Sequence, residues 1–284
     1  PHCHHIAGMD QIHRPSVDTI DPDAVTYDLW VAGKQVTETN QNDVLGDGGS
    51  VKFDPATNTL TLNNANLTPD GDANFTYWID SELTEELTIT GTATLSNADG
   101  ILTDGPLTLK DADLTFTGDI DDDVGDDAIR AGRSDEDITI QNSTVTIAGT
   151  NSEGNFFQYG IRCGKLIVAN STLDVKVYGS AIVADTMEVS GADTIVMAET
   201  DSTDADDYAI KLEGKLTYNG VELVSGSLNN SKTAKIAPPE QKPDPNPNPM
   251  NYKVYWVVHP GDEPVNGGMQ FPGAIVENEE EARL

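Results

Sequence analysis

The chain has 284 residues, a net charge of −32 at pH 7, 37% hydrophobic and 6% aromatic residues. So negative a surface repels phosphate backbones and anionic lipid, which excludes nucleic acid as a partner, and no apolar run reaches membrane-spanning length, so no membrane insertion is expected. Cys3 and Cys163 are the only cysteines, which excludes a disulfide framework.

In chain order, residues 1–24 show no hydrophobic period and no signal-peptide pattern, and are expected to be a disordered or appended tail. The His-Cys-His-His run at 2–5 carries metal-ligand chemistry, but at such a terminus it reads as incidental. Residues 25–58 hold two strand-like segments, YDLWVAGKQVT and GGSVKFDPATN, separated by turn signals. They fit a β cap over the stacked repeats that follow.

Residues 59–236 repeat. LTLNNANL (60–67), LTLKDADL (107–114), ITIQNSTV (138–145) and LIVANSTL (166–173) share one plan, with LTITGTATL, MEVSGADTI and LTYNGVEL as variants. Each opens apolar, any, apolar, which is the alternation of a strand with one buried face. Two residues after the second apolar position stand Asn64, Gly91, Asp111, Asn142, Asn170, Gly191 and Gly220. Asn, Asp and Gly are the residues that accept a left-handed backbone cheaply, so a bend is expected there in every repeat. Inward residues then resume at Leu67, Leu95, Leu114, Val145, Leu173, Ile195 and Leu223, with an extra residue expected in the Gly91 and Gly191 repeats.

A second column precedes each phrase: Ile79, Ile101, Ile129, Ile161, Ile182 and Ile210. Two residues on come Ser81, Thr103, Ala131, Cys163, Ala184 and Leu212, which makes Cys163 a core filler rather than a reactive thiol. Repeats start roughly 20 to 31 residues apart, the spacing of single-coil repeats. The expected fold is all-β: a single-stranded right-handed parallel β-helix (solenoid) of about seven coils with an N-terminal β cap. The Pro-rich stretch 237–250 reads as an extended linker, and 251–284 as the start of a further module or a truncated tail.

Two insertions carry acid. GDIDDDVGDD (118–127) and Asp135, Glu136 and Asp137 fall between strands, where long loops of stacked repeats build binding faces. Calcium takes six to eight oxygen ligands, and Asp119, Asp121, Asp122, Asp123, Asp126 and Asp127 supply such oxygens, though not at EF-hand spacing. The alternative is a solvated acidic loop. Asp70, Asp72 and Asn74, and Asp204, Asp206 and Asp207, are smaller clusters of the same kind.

The outward column beside the Ile column is Asp80, Leu102, Arg130, Arg162, Val183 and Lys211. Arg130 and Arg162 are expected on neighbouring coils about 4.8 Å apart. Either local Asp or a carboxylated ligand such as a uronate satisfies two stacked guanidinium groups. With Phe156, Phe157 and Tyr159 just before Arg162, and Lys211 farther along, the cluster reads as a ligand-binding surface for a glycan. The outward Thr61, Thr88, Thr108, Thr139 and Thr217 follow β propensity, with a flat sugar- or ice-facing array as the alternative. All five His lie outside the repeats, so no Ser-His or Cys-His arrangement falls on them and no catalytic residue is assigned.

YDLWVAGKQVT, VLGDGGSVKFDPATNTLTLNNANLT and the following coils resemble surface proteins of gut and other anaerobic bacteria over roughly residues 26–225. These include proteins grouped with a clostridial carbohydrate-binding β-helix family that binds pectic polymers and calcium. The resemblance implies export, cell-surface display and a non-catalytic role, and assigns no residue. The expectation is therefore an extracellular β-helix that binds polysaccharide with calcium support. A structural stalk or adhesin module is the first alternative, and a calcium-dependent polysaccharide lyase the second.

Overall fold

Leu60 and Leu62, Leu107 and Leu109, and Ile138 and Ile140 are buried, while Thr61, Thr108 and Thr139 between them stay half-exposed. That alternation sets the architecture. The computed structural model describes residues 24–67, 77–96, 99–117, 127–132, 135–149, 157–225, 231–238, 252–255 and 274–277. The expected N-terminal tail and most of the Pro-rich stretch lie outside them.

Ahead of the repeats stand β1 (Thr26–Val31), β2 (Lys34–Thr37) and β3 (Val51–Asp54). The repeats supply β4 (Thr59–Leu67), β5 (Tyr77–Ser81), β6 (Leu87–Ser96), β7 (Asp99–Thr103), β8 (Leu107–Thr117), β9 (Asp127–Ala131) and β10 (Ile138–Gln141). They continue with β11 (Thr144–Ala148), β12 (Tyr159–Ala169), β13 (Thr172–Val177), β14 (Ile182–Ser190), β15 (Ile195–Thr200), β16 (Ile210–Leu212) and β17 (Lys215–Tyr218). After them come β18 (Val221–Ser225), β19 (Thr233–Ile236), β20 (Tyr252–Tyr255) and β21 (Ala274–Glu277). All join one mostly parallel sheet, and the described residues contain no helix.

Three parallel ladders run through it. The first is β5, β7, β9, the front half of β12, the front half of β14, and β16. The second is the front of β4, β6 and β8, then β10, the back halves of β12 and β14, and β17. The third is the back of β4, β6 and β8, then β11, β13 and β15. Antiparallel strands close the ends. β1 covers β5 and β3 covers β4; β18 covers β17 and β19 covers β15. An open edge presents unpaired N–H and C=O groups, and these strands pair with them. Tyr252–Tyr255, expected to open a further module, pairs antiparallel with β19.

The Ile column pairs in register from Ile79 through Ile101, Ile129, Ile161 and Ile182 to Ile210, and each of the six is buried. Full burial of such a side chain contributes about 1.5–3 kcal/mol. One position earlier stand Gly100, Ala128, Gly160, Ala181 and Ala209, all small, with Trp78 the exception at the start. The cause is steric. A Cβ at Gly100 would lie 1.8 Å from the Ala128 carbonyl oxygen, and one at Gly160 would lie 2.5 Å from that of Ala181.

Every expected bend residue has positive φ: Asn64 49°, Gly91 94°, Asp111 50°, Asn142 50°, Asn170 49°, Gly191 102° and Gly220 78°. In two repeats the next residue is a buried serine that serves the neighbouring strand. Ser143 Oγ accepts the Ala112 N–H at 3.0 Å and donates to the Gln141 carbonyl at 2.7 Å; Ser171 Oγ accepts the Ser143 N–H at 3.0 Å. Ser143→Ala leaves the buried Ala112 N–H without its acceptor. It is expected to cost about 1–3 kcal/mol in urea denaturation and to speed hydrogen exchange at the Ala112 amide.

Three expected alignments are corrected. Thr88 pairs with Thr59, and Thr61 with Thr90, because β4 sits two residues along from the expected alignment. The extra residue at the first bends belongs to β4 and β8, not to the Gly91 repeat; Leu95 consequently stacks on Phe116, and Ala93 on Leu114. Val196, not Ile195, stacks on Leu173, while Leu223 belongs to antiparallel β18. In each case the ladder keeps its inward parity and absorbs the mismatch at the bend.

Candidate functional site

Three stretches on the first ladder share one pattern: Asp127-Ala-Ile-Arg130, Tyr159-Gly-Ile-Arg162 and Tyr208-Ala-Ile-Lys211. The Ile points inward, so the residue after it points out. The outward column pairs in the expected order: Asp80 with Leu102, Leu102 with Arg130, Arg130 with Arg162, Arg162 with Val183, and Val183 with Lys211. Strand pairing thus brings two arginines side by side, and Asp127 pairs with Tyr159 in the same ladder.

The Asp127 side chain is only 1% exposed and lies between the arginines. Its Oδ2 accepts a hydrogen bond from Arg162 Nη2 at 2.5 Å and stands 3.7 Å from Arg130 Nη1. Among the described residues, two guanidinium groups therefore share this carboxylate. The Arg162 guanidinium carbon also lies 4.4 Å from the centre of the Tyr159 ring, within cation–π range. Nε of both Arg130 and Arg162 is buried and meets no hydrogen-bond partner among the described residues. The two side chains keep 27% and 22% exposure, so neither is closed off from solvent. Farther along, Lys211 Nζ lies 5.8 Å from the Tyr208 ring centre.

The other expected site residues fall elsewhere. Phe157 is a correction: it is 1% exposed and packs into the core, where a Cβ on Gly149 would stand 2.5 Å from its ring. It offers no ligand surface. Phe156 lies outside the described residues, as do Asp119, Asp121, Asp122, Asp123 and Asp126. Asp127, expected with them as a calcium ligand, faces guanidinium groups, and a cation placed on its carboxylate would meet their repulsion. Among the described residues no three His, Cys, Asp or Glu side chains form a metal-holding group. Asp204, Asp206 and Asp207 shape a turn: Asp204 Oδ1 accepts the Asp206 N–H at 3.0 Å, and Asp207 Oδ1 accepts the Ser180 hydroxyl at 3.2 Å.

A local Asp beside the arginines is one of the two sequence expectations, but its identity as Asp127 is not, since the sequence groups Asp127 with the acidic run. The available signal was its place three residues before Arg130, where Tyr159 and Tyr208 precede Arg162 and Lys211.

Cys163 is buried, and burial pushes its thiol up to about 12. A thiol held protonated behind the core does not react. With Cys3 replaced by Ser, an aromatic disulfide reagent at pH 8 is expected to label Cys163 only after denaturant is added.

No protein-family model, curated protein or solved structure matches this chain.

Proposed function

We propose that the chain is a right-handed parallel β-helix displayed outside the cell, and that it binds a carboxylated polysaccharide through Arg130, Arg162 and Tyr159 without cleaving it. The observation that carries this reading is the pair of in-register arginines sharing the carboxylate of Asp127, one of them stacked on Tyr159. Guanidinium groups offer planar, paired donors to a carboxylate, and a tyrosine beside them offers a face to a sugar ring. The three ladders and closed ends support the helical stacking. Calcium held by Asp119, Asp121, Asp122, Asp123 and Asp126 belongs to the same proposal, because clustered carboxylates suit that ion.

A second reading, a stalk or adhesin module without a small ligand, draws on the 2.5 Å bond from Arg162 to Asp127, which lets the cluster serve as an internal ion pair. Binding to immobilised polygalacturonate, with calcium and with chelator, separates the two. The expected result is saturable binding without unsaturated product, and Arg162→Ala weakening it at least about tenfold, equivalent to about 1.4 kcal/mol. Absence of binding across a uronate panel would sink the proposal in favour of the stalk.

A further inference from the structure

We infer that the bound chain lies along the stacking direction of the repeats, on a line formed by Arg130, Arg162, Val183 and Lys211. This rests on the carboxylated-polysaccharide reading above and extends it from one sugar acid to a polymer track.

The register places Arg130, Arg162, Val183 and Lys211 on four successive strands of the first ladder. At about 4.8 Å between neighbouring strands, the outer cations are about 14 Å apart. That exceeds the reach of one sugar ring and fits a chain with several charges. Two members of the line are built alike. Arg162 stands over Tyr159, and Lys211 stands over Tyr208 with the same three-residue offset. Val183 is half-buried between them and gives the intervening sugar an uncharged contact.

An acid bounds the line at one end. At its far end stands Asp80, whose carboxyl is raised above the usual range by burial and by Glu82 and Asp104 nearby. Leu102 separates that acidic end from Arg130. Two residues past Asp80, Leu102, Arg130, Arg162, Val183 and Lys211 come, in that order, Glu82, Asp104, Gly132, Gly164, Asp185 and Glu213. Asp185 and Glu213 stand beside Val183 and Lys211, and Asp135 and Glu136 crowd Gly132, so acid flanks the line along its length. The two adjacent arginines hold the primary contact, and Lys211, a lone cation, adds a second one that only a long ligand reaches. A tethered second contact raises affinity through effective concentration, without any change at the first.

The test is calorimetric affinity for galacturonate oligomers of one unit upward, on the whole chain and on Lys211→Ala. Lys211 is an exposed side chain, and a matching thermal melt checks that the variant is folded. The expected result is an affinity that climbs at least about tenfold from the shortest oligomers to those that span the line. Lys211→Ala should remove that gain and leave the short-oligomer affinity unchanged. Equal affinity at all lengths, with Lys211→Ala silent, would overturn the track while leaving the arginine site standing. No binding at any length, in the wild-type chain, would overturn both.

Discussion

One added methyl at Gly100 is expected to lower stability by at least about 3 kcal/mol. Gly100 is buried, and a Cβ there would sit 1.8 Å from the Ala128 carbonyl oxygen, 2.8 Å from its carbon and 2.9 Å from a Phe116 ring carbon. Two of these atoms are backbone in the neighbouring repeat, itself held by the pairing of β9 with β7 and β12. The ladder must part locally to make room. Gly220→Ala is the control. Its φ is 78°, but nothing lies within 4 Å of the added atom, so only the conformational penalty of about 1 kcal/mol applies. Guanidinium denaturation of both variants gives the comparison. A Gly100→Ala midpoint no lower than that of Gly220→Ala would mean that these repeats do not stack in this register.

Asp127→Asn is expected to cost about 3–5 kcal/mol, although the side chain barely changes shape. The carboxylate is buried between Arg130 and Arg162, which pair on adjacent strands. Removing its charge leaves two partly desolvated guanidinium groups facing each other. The partial exposure of the arginines places the value toward the lower end, since water and salt screen what remains. Combining Asp127→Asn with Arg162→Met removes the repulsion and fills the space with an apolar chain. The double variant should be more stable than Asp127→Asn alone, and the double-mutant cycle reads the coupling directly. Additive losses would show that Asp127 and Arg162 do not act as a pair. The same variants inform function: Arg162→Met should lose polysaccharide binding even where stability is restored.

The bends and the Ile column were legible because their causes are local. Asn, Asp and Gly adopt φ near 50° at the least cost, with Ala32 the exception here, and Asn142, Asn170 and Asp111 announce themselves in one sequence. Alternation around Ile129 and Ile161 likewise decides which side chains face inward, and so predicts the pairing of Arg130 with Arg162. The buried serines after two bends were visible as Asn-Ser pairs, but their duty to the neighbouring strand was not, since Ala112 and Ser143 are far apart in sequence.

By itself, then, the sequence determined the period, the bend chemistry, the inward and outward faces, and the identity of the cations on the first ladder. Tertiary structure decided the slip of β4 against β6, the burial of Phe157, and the assignment of Asp127 to the arginines rather than to the acidic run. It also decided the small column at Gly100, Ala128, Gly160, Ala181 and Ala209, where a carbonyl of the next repeat at Gly100 and Gly160 leaves no room for a side chain. The difference is physical. Backbone conformation and side-chain parity depend on a residue and its chain neighbours, whereas register, clearance and charge partnership depend on strands brought together from separate repeats.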